Sequence, residues 1–310
     1  MDYLVGCTGF VGSNLCEQHR FDGLFHSRNV TEAYGKEPEL LVYAGVRAEM
    51  FLANRDPAAD RRRIDEAIAN IRAIAPKTCV LISSVAVYPD SRGADEDTVI
   101  REEALSAYGA NRLALERWLE SELPQSLILR LPAIFGKNLK KNFLYDYIHR
   151  IPALLTDEKL RELAAAEPLL REYYLPQGNG FCKCRELNEA ETALLKERFA
   201  ALGFSALNFT DSRSVYQFFS LKHLWHYIDA ARAAGLRKLN VATPPLSVAE
   251  VYRALTGEAF RNELAKPPYA YDMHSKHAAL FGGRDGYLIS REQELADIRD
   301  FVRAEGGVCL

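Results

Sequence analysis

The chain has 310 residues, 48% of them hydrophobic and 26% charged, which is the composition of a globular protein large enough to bury a substantial core. Its 39 Lys and Arg residues against 42 Asp and Glu residues give a formal charge of −3, so the overall charge does not favour a nucleic-acid partner. No apolar run is long enough to span a bilayer. The first residues lack the basic region and cleavage site of a secretory leader, so we expect a cytoplasmic protein.

Six cysteines are irregularly spaced along the chain, which favours free or buried thiols over a disulfide framework. Cys182 and Cys184 form a C-x-C pair, but no second Cys or His pair follows at the spacing of zinc ligands. The sequence therefore predicts no metal site.

The N-terminal half alternates short apolar runs with amphipathic stretches, a pattern typical of parallel strands joined by crossover helices. The predicted strands are 2–6, 23–27, 39–45, 78–84 and 126–131, and the predicted helices between them are 11–19, 56–75 and 105–122. Together they indicate an α/β fold with a Rossmann doubly wound parallel sheet over residues 1–140, to which residues 207–242 contribute.

The remainder, 141–310, is predicted to form a smaller, largely helical substrate-binding lobe. Residues 143–202 are rich in Leu, Ala and Glu, as expected of helices. Ser247 is the predicted N-cap of one later helix. Another is predicted to follow Ser290, with Glu292 and Glu294 in its first turn.

Three glycines in "VGCTGFVGSNL" stand three residues apart, after a predicted strand and before a predicted helix. Gly6 allows the tight turn, Gly9 lets the backbone approach a pyrophosphate, and Gly12 lets the helix pack on the strand. This context predicts a dinucleotide-binding loop.

This spacing resembles that of the extended short-chain dehydrogenase/reductase family, which comprises nucleotide-sugar epimerases, dehydratases and ketoreductases. The resemblance continues in "YAG" (43–45), "ISSVAVY" (82–88), Tyr108 and "LRLPAIFG" (129–136), which correspond to segments that line the cofactor in that family. It implies that the cofactor-binding residues are Gly6, Thr8, Gly9, Phe10, Val11, Gly12, Ser27, Arg28, Ala44, Gly45, Ser83, Tyr108, Arg112, Leu131, Pro132 and Ile134.

The end of the second strand indicates which nicotinamide cofactor is used. An acidic residue there would bind the ribose 2′-hydroxyl and select NAD, and none is present. Ser27 and Arg28 instead offer a hydroxyl and a guanidinium suited to a 2′-phosphate. We therefore favour NADP(H) over NAD(H); the alternative is that Arg28 is a solvated loop residue.

The resemblance also implies the catalytic residues. Ser84, four residues before the tyrosine of "VY", corresponds to the family's serine, which binds the substrate oxygen; Ser83 is the second choice. Tyr108 corresponds to the tyrosine that transfers a proton. Arg112 takes the place of the family's lysine, which binds the nicotinamide ribose and activates the tyrosine.

Arginine at 112 departs from the family pattern. Residues 108 and 112 share a helix face, and a tyrosine hydroxyl ionises near pH 10 unless a nearby cation assists it. We therefore expect Arg112 to keep the lysine's electrostatic role. In the alternative, Arg112 pairs with Glu116 one turn on and the fold binds nucleotide without catalysis.

The residues after Ser84 separate the reaction types. Family dehydratases place an Asp-Glu pair there, and this chain has Val85 and Ala86, which argues against dehydration. The leading hypothesis is NADPH-dependent reduction of a keto group on a nucleotide-activated sugar. The alternatives are an NAD-dependent nucleotide-sugar epimerase and a catalytically idle NAD(P)-binding sensor or scaffold protein.

The segment "LNFTDSRSVYQFFSLKHLWHYI" (207–228) resembles the family's diphosphate-binding strand, with His223 at the place of an aspartate. The candidate substrate-binding residues are Asn142, Arg213, Tyr216 and His274. The oligomeric state stays open, although helix 105–122 resembles one of two that relatives pack into a homodimer interface.

Overall fold

The computed structural model describes all 310 residues, and they form two compact units. The first unit comprises Met1–Leu139, Val215–Leu246 and Tyr269–Ile298; the second comprises Lys140–Ser214, Ser247–Pro268 and Arg299–Leu310. None of the helices combines the length and the apolar character needed to cross a membrane.

Thirteen strands and eleven α-helices are distributed over the chain. The strands are β1 (Asp2–Val5), β2 (Gly23–Phe25), β3 (Leu40–Tyr43), β4 (Thr78–Ser84), β5 (Leu127–Leu131), β6 (Ala133–Phe135), β7 (Leu154–Thr156), β8 (Tyr174–Pro176), β9 (Phe181–Cys184), β10 (Val215–Tyr216), β11 (Phe218–Ser220), β12 (Lys238–Asn240) and β13 (Leu246–Ser247). The helices are α1 (Phe10–Cys16), α2 (Met50–Arg55), α3 (Pro57–Ile74), α4 (Ala107–Glu122), α5 (Phe143–His149), α6 (Asp157–Ala166), α7 (Leu170–Tyr173), α8 (Glu189–Ala201), α9 (Leu224–Ala233), α10 (Val248–Thr256) and α11 (Arg291–Ala304).

A six-stranded parallel sheet, in the order β12-β5-β4-β3-β1-β2, forms the centre of the first unit. Its strands are almost entirely buried, because apolar clusters cover both faces. Strand β1 has β2 on one side and β3 on the other, so the chain changes direction across the sheet at β1. The predicted doubly wound sheet is confirmed, and the end of β1 lies at its topological switch point.

Local signals in the sequence begin the principal helices. Asp56 caps α3 by accepting from the Ala59 amide, with Pro57 in the first turn. Ser247 caps α10 in a reciprocal capping box with Glu250, so the predicted N-cap at Ser247 is confirmed. Helix α11 likewise begins directly after Ser290, as predicted.

The second unit contains α5 to α8 and a three-stranded antiparallel sheet, in the order β7-β9-β8. This sheet was not predicted, because its strands are only three or four residues long and show little alternation. The C-x-C segment forms β9, and the Cys182 thiol donates to the Asp157 carboxylate at 3.2 Å. All six cysteines are free.

A buried carboxyl group on α11 makes the stability of the first unit depend on pH. Glu294 Oε1 accepts from the Phe218 amide at 2.7 Å and from the Thr243 hydroxyl at 3.3 Å, whereas Oε2 has no hydrogen-bond partner. Burial raises the pKa of Glu294 to about 9. The folded chain therefore keeps this proton over a range in which the unfolded chain loses it.

Between the unfolded pKa of about 4.5 and the folded pKa of about 9, Glu294 should lower the free energy of unfolding as pH rises, by up to about 1.4 kcal/mol per pH unit. We expect Glu294→Gln, which keeps the acceptor oxygen without the charge, to be the more stable protein at pH 8 and to lose this slope. Denaturant unfolding at pH 6, 7 and 8 measures it. The control is Glu292→Gln, at an exposed position of the same helix, and a slope unchanged in Glu294→Gln would disprove the assignment.

Candidate active site

The glycine loop joins β1 to α1 at the switch point of the sheet. Gly6 has φ +94°, and a Cβ there would lie 2.5 Å from the Ala44 carbonyl oxygen. A Cβ on Gly12 would lie 2.1 Å from the Gly6 carbonyl oxygen, so only glycine lets α1 pack this closely on the loop. Thr8 and Gly9, at the crest of the loop, are exposed. This cradle therefore fits the pyrophosphate of a dinucleotide.

The end of β2 lies beside the glycine loop, since the amides of Gly6 and Cys7 both donate to the Phe25 carbonyl, at 2.7 and 3.2 Å. The following turn is held by the Asn29 side chain, which accepts from the His26 amide at 2.8 Å. Ser27 and Arg28 at the tip are exposed. No carboxylate pairs with the Arg28 guanidinium, so it is available to an anion.

The end of β3 closes the other side of the loop. The Ala44 amide donates to the Val5 carbonyl at 2.9 Å, and Gly45 is exposed. A Cβ on Gly45 would approach Val5 Cγ1 at 3.1 Å and the Tyr43 ring at 3.3 Å. Residues 44 and 45 therefore meet the glycine loop at the same edge of the sheet.

Strand β4 ends in the two candidate serines, whose side chains have different surroundings. The Ser84 hydroxyl accepts from the Ala86 amide at 3.2 Å, capping a 3-10 turn over Val85–Val87, and remains partly exposed. The buried Ser83 hydroxyl instead donates to Glu116 at 2.5 Å. Since neighbouring side chains of a strand point to opposite faces, Ser84 is the more accessible of the two hydroxyls.

Helix α4 approaches the turn after Ser84 closely. A Cβ on Gly109 would lie 2.2 Å from the Ala86 carbonyl oxygen, so glycine is needed for this contact. The Tyr108 amide, one residue earlier, donates to Asn54 of α2 at 3.0 Å. Gly109 therefore lets the start of α4, which carries Tyr108, pack against the turn that follows Ser84. The sequence analysis missed this role of Gly109.

Arg112 is buried, with 4% of its surface exposed, and its guanidinium carbon lies 4.4 Å from the centroid of the Tyr108 ring. Nη1 and Nη2 contact the two carboxylate oxygens of Asp60 on α3, at 3.2 and 3.3 Å. Nη2 also donates to the Arg47 carbonyl at 2.7 Å. The predicted proximity of Arg112 and Tyr108 is present, but Arg112 has a carboxylate partner that the sequence analysis missed.

The alternative pairing of Arg112 with Glu116 is wrong; whether the fold catalyses a reaction is a separate question. Glu116 forms a buried ion pair with Arg130 of β5, at 2.6 to 3.1 Å. Arg130 also donates to the Tyr88 hydroxyl at 2.5 Å, and Asn240 of β12 bonds the same hydroxyl. These four residues and Ser83, near the end of β4, form a buried hydrogen-bonded network, which we call the Glu116 network: Ser83, Tyr88, Glu116, Arg130 and Asn240.

The last of the predicted cofactor residues follow β5. Leu131 is buried, whereas Pro132 and Ile134 are partly exposed. Strand β6 is held by parallel pairing with β11 and by the Ala133 amide, which donates to the Gln217 carbonyl at 3.0 Å. This segment therefore has a fixed backbone.

Two of the candidate substrate residues lie in the first unit. Tyr216 packs against the rings of Tyr269 and Tyr271, with centroids 5.9 Å away. His274 Nε2 lies 3.3 Å from both an Asp272 carboxylate oxygen and the Tyr287 hydroxyl. The His274 amide donates to the Ala94 carbonyl at 2.8 Å, which fixes His274 beside the segment that follows Ser84.

The other two candidates lie in the second unit and have partners within it. Arg213 donates to both oxygens of Asp211, at 3.0 and 2.7 Å, and to Glu263 at 3.0 Å. The Asn142 side chain caps α5, accepting from Leu144 and Tyr145. A phosphate would have to compete with two carboxylates for Arg213.

His223, predicted at the place of a family aspartate, does have an acidic partner. Its Nε2 lies 2.9 Å from the buried Asp297 carboxylate, which Lys222 also contacts at 2.8 Å. The aspartate comes from α11, 74 residues away in sequence, so no local pattern around His223 predicts it.

No protein-family model matches the sequence, and no curated protein matches it. Solved structures do match across nearly the whole chain. The dTDP-4-dehydrorhamnose reductase of Bacillus anthracis in complex with NADP has a TM-score of 0.63 and 14% identity, covering 98% of this chain and 99% of its own. RMD of Pseudomonas aeruginosa complexed with NADPH has a TM-score of 0.60, 15% identity and the same coverage.

The UDP-glucose 4-epimerase of Thermotoga maritima with UDP-glucose has a TM-score of 0.60 and 14% identity, again over 98% of this chain and 99% of its own. These identities are low, so the likeness establishes the fold. The chain has the Rossmann-type fold of nucleotide-sugar reductases and epimerases.

Proposed function

We propose that this chain is an NADP(H)-dependent oxidoreductase of the extended short-chain dehydrogenase/reductase type, which reduces a keto group on a nucleotide-activated sugar. The observation that carries the proposal is the contact between Gly109 and Ala86, because it joins the Tyr108 helix to the Ser84 turn at the same sheet edge as the glycine cradle. The reductases and the epimerase with this fold support it.

In this proposal the bound cofactor supplies the hydride, and residues of the chain handle the carbonyl oxygen. The Ser84 hydroxyl donates a hydrogen bond to that oxygen, and the Tyr108 hydroxyl gives it a proton. Arg112 holds the Tyr108 ring, and its Nε–H, which has no protein partner, would contact the ribose. The candidate substrate-binding residues are Tyr216 and His274 in the first unit and, separately, Asn142 and Arg213 in the second.

We propose NADP(H) rather than NAD(H) because Ser27 and the unpaired Arg28 are exposed beside the glycine cradle. Removing this guanidinium should weaken NADPH binding about tenfold, since a charge-assisted contact at an exposed site is partly screened. NADH affinity should be unchanged.

Fluorescence titration of Arg28→Ala with both cofactors measures this effect. The control is Arg20→Ala, at an exposed position after α1. Equal losses of affinity for NADPH and NADH would refute the 2′-phosphate assignment.

The proposed activity is tested by incubating the full chain with NADPH and a panel of nucleotide-linked ketosugars, and following NADPH oxidation. We expect turnover of at least one of them. NAD retained through purification, with interconversion of sugar epimers, would favour the epimerase. NADPH binding without turnover of any ketosugar would favour the idle sensor or scaffold.

A further inference from the structure

The geometry points to Asp60 as a positioning residue for the candidate active site, one that holds the Arg112 guanidinium across the face of the Tyr108 ring and compensates its charge. This inference rests on the proposed function for its catalytic consequence, but the arrangement itself rests on contacts within the first unit.

Asp60 holds Arg112 in one orientation. The two carboxylate oxygens accept from the two terminal nitrogens of the guanidinium, a forked contact that fixes its plane. The Arg47 carbonyl accepts a third hydrogen bond, from Nη2 of Arg112. Asp60 is itself fixed, because it lies in the first turn of α3 and its Oδ2 accepts from the side-chain Nδ2 of Asn111 at 2.9 Å. The Tyr108 ring therefore packs against a guanidinium that is held by three hydrogen bonds.

The ion pair also changes the electrostatics that a lone cation would produce. Arg112 and Asp60 are 4% and 2% exposed, so water screens neither charge and each depends on the other. The Arg112 guanidinium faces the Tyr108 ring, and Asp60 on α3 pairs with that guanidinium. Arg47 contributes its backbone carbonyl, and Glu116 is bound to Arg130. Tyr108 therefore experiences a nearly neutral pair rather than a net positive charge.

This arrangement explains why an arginine stands at 112. Only a planar fork can contact two carboxylate oxygens, donate to a backbone carbonyl and stack on an aromatic ring together. A lysine would make a point contact with Asp60 and leave the ring face uncovered. We therefore expect Arg112→Lys, which restores the residue usual in the resembled family, to lower kcat about tenfold or more.

Removing the Asp60 charge and removing the Arg112 charge should shift the titration of Tyr108 in opposite directions. Asp60→Asn keeps the shape of the side chain and leaves the Arg112 charge uncompensated, so the phenol should ionise at lower pH. Arg112→Gln leaves Asp60 uncompensated, so the phenol should ionise at higher pH. The measurement is the ¹⁹F resonance of protein labelled with 3-fluorotyrosine, with residue 108 assigned by the signal lost in Tyr108→Phe.

The control is Asp65→Asn, at an exposed position of the same helix, which should leave the midpoint unchanged. General loss of structure would shift the midpoint in Asp60→Asn and in Arg112→Gln in the same direction, whereas the proposed role of the Asp60–Arg112 ion pair requires opposite shifts. Unchanged midpoints, or shifts of the same sign, would overturn the assignment. This readout needs neither cofactor nor substrate. Failure of the chain to bind NADPH would refute the proposed function. The ¹⁹F titration would still decide the role of Asp60.

In the active enzyme, the high-pH limb of the kcat profile for reduction should move to lower pH in Asp60→Asn, because reduction needs the protonated phenol. NADPH affinity should fall less than kcat, since the glycine cradle is untouched. An effect on KM alone, with an unmoved pH profile, would contradict a positioning role.

Discussion

Replacing Tyr108 with phenylalanine should lower ketosugar reduction by about 10²- to 10⁴-fold, the usual contribution of a positioned general acid. Phenylalanine keeps the ring that packs under the Arg112 guanidinium, so the fold and the ion pair should be preserved. NADPH affinity should also be preserved, because the glycine cradle and the Arg28 turn are unchanged. The loss should therefore appear in kcat at saturating NADPH.

A matched control for this substitution is Tyr145→Phe, which removes a tyrosine hydroxyl from α5 in the second unit. Its kcat should stay within about twofold of the wild-type value. A Tyr108→Phe enzyme that kept more than about half of the wild-type kcat would show that another group transfers the proton.

Removing the Glu116 carboxylate should destabilise the first unit by about 3–5 kcal/mol, because it leaves the Arg130 guanidinium buried without a counter-ion. Arg130 and Glu116 are 2% and 0% exposed. Glu116→Ala also takes the acceptor from Ser83. Both tryptophans, Trp118 and Trp225, lie in the first unit, so denaturant unfolding followed by tryptophan fluorescence reports on this unit.

Two further variants make the test of the Glu116 network specific. Glu120→Ala, at an exposed position of the same helix, should change the free energy of unfolding by less than about 1 kcal/mol. The double variant Glu116→Met with Arg130→Met removes both charges, and it should be more stable than Glu116→Ala alone. A loss below about 1 kcal/mol in Glu116→Ala would contradict the assignment.

The sequence predicted the central sheet well, because most strands are short apolar runs and helices α3 and α4 begin at the capping residues Asp56 and Ser106. The glycine spacing likewise indicated the cradle, since the tight turn at Gly6 and the close packing at Gly12 are local properties of the chain. The three-stranded sheet of the second unit escaped prediction. Its strands gain stability from pairing with one another rather than from any local pattern.

The candidate site shows where local reasoning fails. Helical spacing made Glu116, four residues away, a possible partner of Arg112. In the folded chain Glu116 instead pairs with Arg130, and Arg112 pairs with Asp60. Asp60 lies 52 residues before Arg112 in sequence, and no pattern along the chain connects them. A contact of this kind follows only from how α3 and α4 pack.

The most direct test of the proposed function is transfer of deuterium from NADPH labelled at the nicotinamide hydride position to a nucleotide-linked ketosugar, measured by mass spectrometry of the sugar product. The proposed reduction predicts one deuterium on the new carbinol carbon, formed by the wild-type chain and nearly absent with Tyr108→Phe. A chain that binds the labelled NADPH but places no deuterium on any ketosugar would contradict it.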